Sequence, residues 1–247
     1  MDLADIVGGG NGFGTGKIGF GISPITGAVE NLTKREQFQG TSSYIPVNTN
    51  PYVDGIFIPD GEHGPVQITS TGQQFGGFHD TNSLFWIGVQ NGGKHFVPGD
   101  INGHYLSLSG IKYGTRSKPD IFMHANQGIT FDLEKIRETL PAGTQITRFT
   151  ALWGVSDSVL NTSNYVFNAV PETINTGEWA VGDCWVLVDG KLRFTKTNQG
   201  PKDSPAVIDI PIGEKDRFLT IANTHSEDNQ NIGFVWSLFG NPYLQLN

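Results

Sequence analysis

Apolar and polar residues alternate with a period of two along much of this chain. Ile129, Phe131 and Leu133 alternate with Thr130 and Asp132, the signature of a half-buried strand. In residues 146–155 (ITRFTALWGV), Phe149, Ala151 and Trp153 point one way and Arg148 and Thr150 the other. Residues 52–58 (YVDGIFI), broken at Asp54-Gly55, and 66–70 (VQITS) read as short strands around a Pro59-Asp60-Gly61 turn. Residues 105–113 (YLSLSGIKY) set Leu106 and Leu108 against Ser107 and Ser109, and are expected to form one strand leading into 121–133. The run 84–89 (LFWIGV) is apolar throughout and is expected to be one strand buried on both faces, closed by Asn91-Gly92. The clearest hairpin is 184–195, CWVLV-DG-KLRFT, whose two-residue Asp189-Gly190 turn is of the primed type. Further strands are predicted at 207–212, 218–222 and 234–239.

One helix is predicted, over 133–140 (LEKIRETL), capped by Asp132 and ended by Pro141 and Gly143. The segments 156–180 and 223–231 (NTHSEDNQN) read as polar loops. His124 and Asn126 fall in a polar turn between apolar runs, and His124 is expected to be buried and bonded to backbone. Strands at this spacing, with no intervening helices, predict an all-β fold of two stacked antiparallel sheets, a β-sandwich of jelly-roll type.

Composition agrees. The chain of 247 residues holds 33 glycines and 13 prolines, so turns are many and helices few. With charged residues at 16% and aromatics at 11%, a packed core is expected rather than disorder. The net charge of −8, with scattered Lys and Arg, repels a phosphate backbone and excludes nucleic acid as a partner. Cys184, the single cysteine, lies inside an apolar run and reads as a small buried hydrophobe. No apolar run approaches the roughly 20 residues that span a membrane, so no transmembrane segment is expected. The opening MDLADIVGGG lacks the regions of a signal peptide, so the chain is expected to be unexported or a mature part of something longer.

Residues 1–30 are dense in glycine. Gly14, Gly16 and Gly19 match G-x-G-x-x-G, yet no βαβ pattern follows and Pro24 stops a helix. A phosphate loop fails at Asn11 and Ile18. The expectation is a loop that needs positive φ and close backbone approach.

For chemistry, a sugar site needs a flat apolar platform and a few fixed hydrogen-bonding groups. Trp179, His225, Glu227, Asp228 and Asn229 lie in the long loops and are the candidate ligand-binding residues. A structural calcium ion is the candidate cofactor, with Asp157 and Asp228 as metal ligands and Asp54, Asp60 and Glu62 also close in sequence. No paired His or Cys spacing suggests zinc. No nucleophile elbow occurs and no carboxylate pair stands out, so no catalytic residue is named.

Several motifs carry a family resemblance. Residues 106–133 (LSLSGIKYGTRSKPDIFMHANQGITFDL) resemble the G-x-x-Y … THA … I-x-Y-D-L segment of the NPCBM carbohydrate-binding modules. Residues 146–158 are similar to that family's RF-x-A-x-V-G-V-D-D-E stretch, 185–194 to its DG hairpin, and 218–244 to its closing pair with a late tryptophan, here Trp236. Asp2-Leu3 and Asn11-Gly12-Phe13-Gly14 are similar to its opening L … NGWG. Residues 50–61 (NPYVDGIFIPDG) resemble an inserted motif in the C-terminal region of FecR-type surface proteins of planctomycete-like bacteria. Ser156-Asp157 stands where the family has paired acids, and Gly233-Phe234-Val235 where it has an acidic pattern. The resemblance implies a galactose-binding-like jelly roll, one domain over 1–247 with 31–103 as an insertion containing β-hairpins.

The expected function is a non-catalytic carbohydrate-binding or adhesive module of an exported bacterial protein, extracellular or at the cell surface. Its partner would be a glycan or polysaccharide. The alternative is a structural subunit that assembles with copies of itself through free sheet edges.

Overall fold

The computed structural model describes residues 1–32, 37–39, 44–86, 88–95, 103–161 and 179–247. After helix α1 (Leu3–Val7) come β1 (Phe20–Ile22), β2 (Val29–Asn31), β3 (Gln37–Gln39), β4 (Ile45–Pro46), β5 (Val53–Phe57) and β6 (Val66–Gln67). There follow β7 (Gln74–Phe75), β8 (Leu84–Trp86), β9 (Val89–Asn91), β10 (Ser107–Leu108), β11 (Ile111–Lys112), β12 (Asp120–His124) and β13 (Gln127–Asp132). Helix α2 (Leu133–Arg137) precedes β14 (Ile146–Val155), β15 (Gly182–Val188), β16 (Lys191–Gln199), β17 (Ala206–Pro211), β18 (Phe218–His225) and β19 (Trp236–Leu246).

Two sheets form the sandwich. One has the order β17-β14-β19-β12-β9-β1-β2, the other β16-β15-β18-β13-β5-β4. The stretch 121–133 belongs to both: β12 pairs with β19 in the first sheet, and β13 pairs with β18 in the second. The chain crosses between sheets at Ala125-Asn126, and crosses again from β18 to β19. These twin crossings, side by side, give the jelly-roll closure. Ile129, Phe131, Phe149, Trp153 and Phe239, each fully buried, fill the space between the sheets. The segment 31–103 is woven into both sheets, through β5 against β13 and β9 against β12.

Strand β14 occupies 146–155 as its alternation predicts, with Phe149 and Trp153 at 0% exposure. The 184–195 hairpin is present and longer than predicted, with Asp189 at φ 48 and Gly190 at φ 73. Asp132 caps α2 by accepting from the Glu134 and Lys135 amides. His124 is buried, with Nδ1 2.9 Å from the Ala125 carbonyl.

Four expectations are corrected. The run 84–89 is two strands, because Gly88 packs so close to the backbone of Ile22 that a Cβ there would lie 2.1 Å from its carbonyl oxygen; β8 pairs with β3 in a separate ribbon and β9 joins the large sheet. Residues 105–113 hold a hairpin, not one strand: Ser109 at φ 49 and Gly110 at φ 76 turn β10 back onto β11. Of 66–70 only Val66–Gln67 is strand, paired with β7. A second helix, α1, went unpredicted at five residues; Asp2 caps it by accepting from the Ala4 amide at 2.8 Å.

The opening glycine loop winds around Asp5. Its buried carboxylate accepts from the amides of Gly12 (2.8 Å) and Gly16 (2.6 Å). Gly12 and Gly14 have φ of 87 and 89, and a Cβ on Gly16 would lie 2.1 Å from the Asp5 carbonyl oxygen. Positive φ and close approach, as predicted, are both required here.

Candidate functional site

At one end of the sandwich β15 begins, β18 ends and β13 begins. Gly182 pairs with His225, and Gln127 with Asn223. Four of the five ligand-binding candidates lie on the surface here. Trp179 is 39% exposed, and Glu227 and Asp228 are exposed on the turn that follows β18. Asn229 is half-buried; its side-chain amide donates to the Trp179 carbonyl at 3.4 Å and its backbone amide to the Ser226 carbonyl at 3.1 Å. The turn is thereby tied to the segment that carries the tryptophan.

His225 is corrected. It is the last residue of β18 and fully buried, so it cannot touch a ligand. The apolar run 218–222 continues as strand through Asn223 and Thr224, whose side chains make hydrogen bonds inside the fold. The Asn223 amide donates to the Met123 carbonyl at 3.1 Å. The Trp185 indole donates to Thr224 Oγ1 at 3.2 Å. The His225 backbone amide donates to Asn126 Oδ1 at 2.8 Å. Burial lowers the pKa of His225, and the nearby His79 pushes the same way.

Beneath the turn lies a polar row that sequence reasoning missed. His79 Nε2 sits 2.9 Å from the His225 carbonyl, 3.2 Å from Thr224 Oγ1 and 3.6 Å from Asp183 Oδ2. The rings of His79 and His225 lie 5.0 Å apart. Burial opposes the charged form of His79, but Asp183 and two backbone carbonyls outweigh it and raise the pKa. Asp183 Oδ1 also accepts from the Asn198 amide at 2.8 Å. The Asn198 side chain donates to Asp228 Oδ2 at 3.0 Å and accepts from the Ser226 hydroxyl. His79 is distant in the chain from the β15–β16 hairpin that carries Asp183 and Asn198, and no local pattern marks these three.

The two metal-ligand candidates each have hydrogen-bond partners elsewhere. Asp157 spends its carboxylate on the β10–β11 hairpin, accepting from the Ser107 hydroxyl and from the Gly110 amide at 2.6 Å. Asp228 spends one oxygen on Asn198. Among the described residues neither belongs to a group of three or more potential ligands; such a group is Asp60, Glu62 and Asp80. There Asp60 is occupied by the amides of Glu62 (3.2 Å) and Thr81 (3.0 Å) and by the Ser83 hydroxyl. Asp54, also considered, binds the Tyr44 hydroxyl and Ser70 instead. Part of the predicted 156–180 loop, 162–178, lies outside the described residues.

No family model matches the chain, and no curated protein matches it. Solved structures resemble it distantly. A CBM51 module from Clostridium perfringens GH95, in complex with methyl-galactose, is 14% identical with a TM-score of 0.40, covering 85% of this chain and 92% of that one. The tandem CBM51 modules of Sp3GH98, a family 98 glycoside hydrolase from Streptococcus pneumoniae SP3-BS71, are 15% identical with a TM-score of 0.39 and cover 62% of this chain and 39% of that one. CBM51-2 with GlcNAc and INT domains, from Clostridium perfringens ZmpB, is 10% identical with a TM-score of 0.40, covering 85% and 39%. The chain thus spans about two fifths of the length of the latter two. Among the described residues no helix is long and apolar enough to cross a membrane.

Proposed function

We propose that this protein is a non-catalytic module that binds a glycan at the Trp179 end of the sandwich, as part of an exported protein. The observation that carries this reading is the exposed Trp179 set against a turn held by Asn229. A pyranose needs an apolar face to stack on and polar groups that do not move when it arrives. Trp179 supplies the first. Glu227, Asp228 and Asn229 supply the second, and the row beneath them, Asn198, Asp183 and His79, holds the turn in place. Glu227 and Asp228 are neighbours on one turn, not two carboxylates facing across a bond to be cut.

The test is a glycan array probed with the purified protein, with calcium and with chelator. Binding to a defined sugar class is expected. A folded protein that binds nothing on the array overturns the reading.

A second reading has its own observation. β16 and β17 are edge strands, and they expose Leu192 at 41% and Val207 at 69%. An uncovered edge invites strand addition from another copy, although Lys191, Arg193 and Lys196 blunt β16. Sizing across a concentration series separates the two readings: growth to larger species favours assembly.

A further inference from the structure

At the opposite end of the sandwich is a second feature with ligand-binding character. β12 runs from Asp120 at this end to His124 at the other. Between the opening glycine loop and the 115–119 turn lies a cleft of about 150 Å³, lined among others by Asp2, Asp5, Asn91, Thr115 and Arg116. We propose that this cleft is a binding site for a single neutral polyhydroxyl ring, a monosaccharide unit, separate from the Trp179 end.

Arg116 Nη1 donates to the Gly14 carbonyl at 2.7 Å. That bond fixes the guanidinium at the rim and leaves the rest of its donor fork for a ligand. Arg116 puts a positive charge at the rim, and Asp2 and Asp5 put negative charge in the lining. An anion is repelled by Asp2 and by Asp5, whose own oxygens are already taken by Gly12 and Gly16. A neutral ligand that both donates and accepts meets no penalty from either sign. Vicinal hydroxyls do this, donating to a carboxylate and accepting from a guanidinium.

One further observation fits. Phe13, next to the cleft-lining Gly14, is 57% exposed and offers a face on which ring C–H groups can stack. The volume suits one ring rather than a chain. Two sugar-contacting ends on one sandwich would let a single copy bridge two glycan strands, with the gain in avidity that bivalency brings.

The test is a nitrogen-15 spectrum of the whole chain titrated with galactose, glucose, mannose and N-acetylglucosamine, each at millimolar levels, and in parallel with calcium chloride. The expected result is saturable movement of the Gly14, Gly16, Thr115 and Arg116 amides with at least one sugar. In Arg116→Ala and in Phe13→Ala, both exposed changes, those shifts should weaken about tenfold or vanish. Trp179→Ala should leave them intact, which separates this site from the one proposed above. Unmoved amides in the glycine loop with all four sugars, or movement with calcium alone, overturns the proposal.

Discussion

Asp5 shows how much one buried carboxylate organises. The glycine loop has few side chains to pack, so its conformation rests on the Gly12 and Gly16 amides that Asp5 accepts. Removing the acceptor orphans both donors, at about 1–3 kcal/mol each. Asp5→Ala should therefore lower stability by about 3 kcal/mol, read as the shift in a urea midpoint with an unchanged slope. Asp120 makes a different prediction. Burial is the main cause raising its pKa from 3.8 to about 8, with the neighbouring Asp2 adding to it. The folded state then holds a proton that the unfolded chain releases. The stabilising contribution is complete below the unfolded value and is lost as pH rises towards and through about 8. Wild type should lose stability between about pH 4 and about pH 8, and Asp120→Asn should flatten that slope. Equal slopes in both proteins contradict the assignment. Residues like these were not legible in the sequence: an Asp reads the same whether it holds a loop or faces solvent, and Gly92, which packs against the Asp120 carboxyl, is distant in the chain.

Elements were legible where the signal was local. The Asp189-Gly190 hairpin carries its own turn chemistry, and the alternation in β14 states which face is buried. The hairpin gains a tie that the sequence hides: Asp189 Oδ1 accepts from the amides of Arg217 (3.0 Å) and Phe218 (2.8 Å), joining the turn to β18. Asp189→Ala should cost about 2 kcal/mol or more, because it removes this acceptor and places an alanine at positive φ, measured by thermal unfolding. Gly128 makes the sharper steric case. A Cβ there would lie 2.2 Å from the Phe57 ring. Gly128→Ala should destabilise by about 1–3 kcal/mol through overpacking, and Phe57→Leu should relieve part of that loss. The misread elements share a cause. Residues 84–89 look like one strand because periodicity cannot show that Gly88 must sit against the Ile22 backbone. β18 looks shorter than it is because Asn223, Thr224 and His225 are polar yet buried, each with a partner at least 39 residues away.

At the scale of the whole molecule, the fold places two unlike surfaces at opposite ends of β12. One carries Trp179 beside a braced polar turn, the other a cleft under a glycine loop. Glu227, Asp228 and Asn229 were visible in the sequence as a crowded polar loop, and Trp179 as an aromatic outside any strand. Their meeting was not, since it depends on β15 and β18 being neighbours. His79 and Asn198, which brace the turn, come from other loops and edges altogether. The central claim is that the Trp179 end binds sugar, and the direct measurement is calorimetric titration of the best array glycan into wild type and Trp179→Ala. The account predicts saturable binding to wild type and a loss of about tenfold or more in the variant, with its unfolding midpoint unchanged. Equal affinity in the two folded proteins contradicts it.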